Sequence, residues 1–242
     1  MSETLALFSF GPGGWGAALA AGAFVTISLA LATVPGGLSL GLGVAMAARS
    51  KNVWARRFAT LFTTIFRGLP ELLTLFIVYY GGAILLRKAL TPFGYGDVQI
   101  DAFLAGVIAL GLVLAAFSSE VWIGALNSIT AGQREAASAL GLPRGQAFLL
   151  VVFPQLMRVA LPGLSNNWLA LLKDTSLVST IALVDLMRQT NLAVGATKQP
   201  LPFYLLACLI YLVFSMISGG VFGALERRAN RGSARIPATG GR

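Results

Sequence analysis

The 242-residue chain has no histidine, a single cysteine and few acidic residues, 9 Asp and Glu against 18 Lys and Arg. Without histidine it lacks the commonest general base and metal-ligating side chain, so no metal site is expected. Cys208 alone cannot form an intrachain disulfide and says nothing about redox compartment. No G-x-x-x-x-G-K-[ST] sequence occurs, hence no P-loop for ATP, and neither H-E-x-x-H nor G-x-S-x-G is present. No cofactor is expected on this chain. Charged residues make up 11%, under half of the ~25% usual in a soluble domain. The opening MSETLALFSFGPGGW has Glu3 as its only charge and lacks the basic region of a signal peptide. The apolar run behind it is too long for a signal core, so a retained span is expected, not a cleaved leader.

Apolar sequence fills the space. Hydrophobic residues are 56% of the chain and the mean hydropathy is +0.78. A membrane span needs about 20 apolar residues, and five runs qualify: Gly16 to about Ala48, Phe58 to about Leu86, Ala102 to about Ile129, Ala147 to Leu172, and Pro202 to Leu225. The first exceeds the ~30 Å hydrocarbon core at 1.5 Å per residue, so tilt or a kink at Pro35-Gly36-Gly37 is expected. Thr91 to Asp101 reads as an external loop, and Leu177 to Thr197 as a short amphipathic helix and loop on that same side. Gly37 with Gly41, and Gly219 with Gly223, allow close helix approach, within the chain or at a subunit interface.

A net charge of +9 and a pI near 10.5 would suit nucleic acid. The basic residues gather instead at the ends of apolar runs, so the expected partner is a lipid bilayer and no nucleic acid. Arg49, Lys51, Arg56, Arg57, Arg134, Arg144, Arg227, Arg228, Arg231 and Arg235 fall on one side of a five-span protein. Arg87, Lys88, Arg188 and Lys198 fall on the other, offset by Asp97, Asp101 and Asp185. The heavier side should be cytoplasmic, which puts the N-terminus out and the C-terminus in. The expected layout is an extracytoplasmic N-terminus over 1–15, a transmembrane domain over 16–228 with a cytoplasmic loop at 133–146, and a disordered cytoplasmic tail over 229–242.

Polar interruptions mark candidate sites. A charge at mid-bilayer costs roughly 2.5–3.5 kcal/mol by insertion scales, so Arg67, Glu71 and Glu120 need partners or a water-filled cavity. Arg67 should lie about 15 Å into its run. Glu71 follows at i+4 and could pair with it, with Pro70 weakening the helix between them. Arg67 tied to free carbonyls, and both residues lining a pathway, are the alternatives. Glu120 is either a partner for Arg67 or Arg158 or a pathway carboxylate. Lys173-Asp174-Thr175-Ser176 is a second break after a span, either a substrate site or a helix end with Asp174 capping the next helix.

The stretch from Gln133 to Pro154, QREAASALGLPRGQAFLLVVFP, carries the most information. Glu135 suits the first turn of a short helix, where the dipole favours a carboxylate. Gly141 should end that helix and Pro143 stop its continuation. Small Ala136 and Ala137 leave a thin surface that can enter a groove. A plain cytoplasmic connector would have the same caps. Glu135-Ala136-Ala137, three residues, Gly141, nine residues and Val151-Val152-Phe153-Pro154 resemble the EAA loop of ABC importer permeases, whose pattern ends in I-x-L-P. FRGLPELLTLFIVYYG (66–81) and SNNWLALLKDTSLVS (165–179) resemble further segments of the polar amino acid permeases, in the same order. Val151 and Phe153 replace the usual Ile and Leu, with apolar character kept.

That resemblance implies an all-α type I importer permease with five transmembrane helices in a bacterial inner membrane. The chain would be half of a translocation pathway, not an enzyme. Its partners would be a second permease, two ATPase subunits holding ATP and Mg, and an extracytoplasmic binding protein. Glu135, Ala136, Ala137, Gly141 and Pro154 would couple to the ATPase. Arg67, Glu71, Glu120, Lys173, Asp174, Thr175 and Ser176 would line the pathway. The Arg-Gly-Leu-Pro-Glu signature resembles subunits serving histidine, lysine, arginine and opines, so a cationic amino acid substrate is expected. An ion-coupled secondary transporter, with Glu71, Glu120 and Asp174 carrying protons, is the alternative. A membrane scaffold is a third reading, with no use for mid-membrane charges.

Overall fold

The computed structural model describes residues 6–93 and 100–230, without the side chain of Arg134. The described residues are helical, with five candidate membrane spans, as the five apolar runs require. Most of the external loop expected around Thr91 to Asp101 and the tail from residue 231 onward lie outside them. So do Asp97, Arg231 and Arg235.

The first span, α1 (Gly16–Ala48), passes through Pro35 as one helix. Asn52 then caps α2 (Val53–Gly68), its side chain accepting from the Trp54 N–H at 2.9 Å. Here the structure corrects the reading of Phe58 to Leu86 as one span. Leu69 and Pro70 are extended, with ψ of 140° and 136°. The proline ring disfavours helical backbone at the residue before it, so the chain breaks there. The second span starts only at Glu71. It consists of α3 (Glu71–Phe76), a wide π turn (Ile77–Gly81), α4 (Gly82–Leu90) and a closing turn of 3₁₀ helix (Thr91–Phe93). α2 is left as a separate amphipathic helix, with Trp54, Phe58, Leu61 and Ile65 on one exposed stripe and the Arg57 guanidinium over Trp54.

Asp101 caps the third span, α5 (Ala102–Ser128), by accepting from the Leu104 N–H at 2.8 Å. This is the most enclosed span, and it lies against α1. A Cβ on Gly37 would meet Leu114 at 2.6 Å, and one on Gly41 would meet the Ala115 carbonyl oxygen at 2.9 Å. The first glycine pair is therefore a helix contact within the chain. Among the described residues a Cβ on Gly219 would meet nothing within 4 Å and one on Gly223 only Arg227 of its own helix, so the second pair makes no such contact within the chain.

After α5 come α6 (Ala131–Ala139), α7 (Arg144–Ala147), a second π turn (Phe148–Val152) and α8 (Phe153–Asp174). A turn of 3₁₀ helix (Thr175–Ile181) extends α8. Asp185 caps α9 (Leu186–Thr197), and α10 (Pro200–Asn230) is the outermost span, lying against α8 and α9. The core joins α1, α5 and the α8 extension through Leu29, Leu110, Val178 and Ile181, all nearly inaccessible. At the start of the chain, Leu7, Phe8 and Trp15 pack on Phe203 and Leu186. That anchors residues before α1 to the last two helices.

Candidate functional site: an acidic cavity and a protruding loop helix

Glu71, the first residue of α3, and Asp174, the last of α8, open onto one cavity of about 250 Å³. Leu110, Leu114 and Phe117 of α5 form its apolar wall, and Asn166 and Asn167 of α8 add amides. The Asn167 Nδ2 is buried and has no hydrogen-bond partner among the described residues. A buried donor without a partner costs about 1–3 kcal/mol. The cavity itself offers two carboxylates beside the asparagine side chains, a set that suits a cation.

Arg67 and Glu71 are not a pair. The i+4 argument assumes an unbroken helix, and Leu69-Pro70 breaks it. Arg67 Nη1 instead donates to Glu120 Oε1 at 2.9 Å, and its guanidinium lies 5.7 Å from the Phe117 ring centroid. Both charged side chains are about half exposed, at 43% and 47%. They border a second cavity of about 460 Å³ with Thr60, Thr63, Thr64 and Gly68 of α2.

At Lys173–Ser176 the chain does not break, and of the two alternatives, substrate site or helix end capped by Asp174, the capped end does not hold. Asp174 has helical backbone and makes no capping hydrogen bond, because the chain tightens directly from α8 into 3₁₀ helix. Thr175 is fully buried and donates to the Leu172 carbonyl at 2.7 Å. Ser176 donates to the Lys173 carbonyl at 2.8 Å, and Lys173 is exposed and lines neither cavity. Of these four residues only Asp174 reaches the acidic cavity. Phe117, Asn166 and Asn167 were not singled out from sequence. The signal was Ser165-Asn166-Asn167, a polar cluster inside an apolar run.

The loop helix α6 begins at Ala131, so Glu135 sits in its second turn, not its first. Ala137 is 2% exposed and faces the body of the protein. Of the two small residues only Ala136 faces outward, with Glu135, and Leu140 beyond them is 81% exposed. Gly141 closes α6 at φ +76°. Its N–H donates to the Ser138 carbonyl at 3.0 Å, and the Leu142 N–H donates to the Ala137 carbonyl at 3.2 Å. This is the paired C-terminal motif that favours glycine. Pro143, with extended backbone, directly precedes α7. Pro154 is the second residue of α8, and next to it Gln155 Nε2 donates to Gln133 Oε1 at 3.2 Å. That bond ties α6 to the span carrying Asn166, Asn167 and Asp174.

Five candidate spans, three of which line a cavity with two carboxylates, and a short exposed helix between two of them are the architecture of a membrane permease subunit. Residues 37–231 match the family described as "binding-protein-dependent transport system inner membrane component", and the chain belongs to that family. It is 39% identical over 232 residues to the octopine transport system permease protein of Rhizobium meliloti, covering 96% of this chain and 98% of that one. It is 38% identical over 222 residues to the histidine/lysine/arginine/ornithine permease protein of Escherichia coli K12, covering 92% and 97%. The crystal structure of an amino acid ABC transporter with histidines superimposes with a TM-score of 0.73 at 29% identity, over 88% of this chain and 95% of that one. An inward-facing methionine ABC transporter has the same fold, at a TM-score of 0.65, 15% identity and coverage of 88% and 96%. This chain is accordingly the permease component of an ABC importer of the type I fold, a transport subunit and not an enzyme. The ion-coupled alternative finds no support among these relatives.

Proposed function

We propose that this subunit imports cationic amino acids or opines across a bacterial inner membrane, with Glu71 and Asp174 receiving the cationic end. The observation that carries this reading is the convergence of both carboxylates on one cavity that Asn166 and Asn167 also line. The relatives that transport octopine, and histidine, lysine, arginine and ornithine, point the same way. Each carboxylate would hold an ammonium or guanidinium group, and the asparagine amides would donate to the substrate carboxylate.

The N-terminus is outside and the C-terminus inside in this reading, because Arg49, Lys51, Arg56, Arg57, Arg144, Arg227 and Arg228 gather at the α6 end. Two ATPase subunits, holding ATP and Mg, receive α6 through Glu135, Ala136 and Leu140. A second permease, a related but distinct chain, completes the pathway, and an extracytoplasmic binding protein delivers substrate. Closure of the ATPases on ATP pulls α6. The Gln133–Gln155 bond passes the movement to α8 and so to Asn167 and Asp174. Glu135, Gly141 and Pro154 transmit movement and take part in no chemical step.

The test uses the complete transporter in lipid vesicles. Glu71→Gln should weaken lysine uptake roughly 10- to 100-fold through KM, the loss of one hydrogen bond to a charged group. Uptake of a neutral amino acid, where the transporter accepts one, should change far less. Equal losses for lysine and the neutral substrate would refute the role given to Glu71.

A further inference from the structure

The acidic cavity and the threonine-lined cavity are neighbours in a fixed order. Along α5 the acidic cavity takes Leu110 to Phe117, while the second takes Glu120 and Ile123, closer to α6. Between them stand Phe117, which walls the acidic cavity, and the Arg67–Glu120 pair, which borders the second. Arg67 touches both partners, with a hydrogen bond to Glu120 at 2.9 Å and its guanidinium 5.7 Å from the Phe117 centroid.

We propose that Arg67, Glu120 and Phe117 form a gate between the two cavities. A cationic substrate would pass it by taking Arg67's place on Glu120. This rests on the cationic-substrate reading above.

Three features of the site support a moving part. Both side chains of the pair are about half exposed and border the second cavity, so packing does not lock them in place. Arg67 sits one residue from the end of α2, just before the extended Leu69-Pro70 joint. That joint uncouples Arg67 from Glu71, so one can swing while the other stays in its cavity. The chamber beyond also suits a cation. Thr60 and Thr63 donate to the Arg56 and Ala59 carbonyls of their own helix at 3.1 and 3.0 Å. Their oxygen lone pairs remain able to accept from an ammonium or guanidinium group. Opening strands the Glu120 charge unless another cation replaces Arg67. The gate is therefore charge-selective: an arriving cation offsets the cost of opening and a neutral molecule does not.

The experiment uses the complete transporter in vesicles preloaded with radiolabelled lysine and measures efflux without ATP. R67E removes the closing cation and leaves the Glu120 carboxylate free for lysine, so it should raise that leak about fivefold or more. E120R removes the carboxylate that lysine needs and should not raise it, and the double variant R67E/E120R, with the pair reversed, should return to near the wild-type rate. If R67E fails to assemble, R67Q replaces it, with the same expected leak. R67E as tight as wild type, or a double variant as leaky as R67E, would overturn the gate. If the wild-type complex moves no lysine under ATP, the cationic-substrate reading fails instead, which separates the two claims.

Discussion

Gly141 offers a clean perturbation of the loop helix because its role is conformational alone. It closes α6 at φ +76°, and a Cβ built on it meets nothing within 4 Å. A side chain there makes no clash and pays only for the left-handed backbone, roughly 1–2 kcal/mol for an L-residue. Asparagine visits that region more easily than other side chains, and a β-branched residue least easily. A cost of that size shifts the balance between a capped and a frayed helix end by a factor of about 5–30. Fraying would displace Leu140 and loosen the contact proposed with the ATPase, and apparent affinity falls by up to the same factor. The assay is affinity of the purified ATPase for the permease pair in nanodiscs, together with lysine-stimulated ATP hydrolysis. Expected losses run G141V, then G141A, then G141N, with the last close to wild type. G145A is the control, since that glycine lies in α7, its Cβ also meets nothing, and its φ is not positive. A G141V protein with wild-type coupling, or a G141N protein as damaged as G141V, would refute the reasoning.

Two further predictions concern the outer helices. Gly22 lets α1 approach the α9 cap so closely that an added Cβ would lie 2.7 Å from the Asp185 carbonyl oxygen. G22V should therefore destabilise by about 1–3 kcal/mol, read as a lower thermal midpoint in detergent, while G36A, with open space around it, should leave the midpoint unchanged. Burial pushes the Asp185 carboxyl up from 3.8 to about 6, against the opposing Arg188 N–H and guanidinium. The folded state thus binds the extra proton between those values, and its stability rises as pH falls from 7 to 5, by about 1 kcal/mol. D185N keeps an acceptor for the Arg188 N–H and should flatten that slope; an unchanged slope in D185N would assign the pH effect elsewhere.

Run length and charge were enough to find five spans, since burial in lipid demands long apolar helices. They could not place the start of the second span. Phe58, Leu61, Phe62, Ile65 and Phe66 are as apolar as a span, and only their three-to-four spacing against Arg56, Arg57, Thr60, Thr63 and Thr64 marks α2 as amphipathic. The Arg67–Glu71 pairing failed for a related reason, because sequence spacing means proximity only while the helix continues. Glu120, 53 positions away, could be named from sequence only as one of several possible partners. In the loop, Gly141 was legible because a positive φ leaves a residue-type signature. The inward turn of Ala137 was not, since two adjacent alanines differ only in which face of α6 they occupy. Asn166 and Asn167 were visible as polar residues in an apolar run, but which cavity they served required the fold.

The two wide turns, Ile77–Gly81 and Phe148–Val152, have a consequence for how this chain tolerates insertion and deletion. A π turn holds one residue more than the α-helical turn it replaces. Losing one residue there restores an ordinary turn and leaves the helix faces on either side where they were. Anywhere else in a span, the same loss rotates everything downstream by about 100° and turns its inward residues toward lipid. Chain length can therefore change at these two places, one in the second span and one where α8 begins, while Glu71, Asn167 and Asp174 keep the same side of their helices toward the cavity.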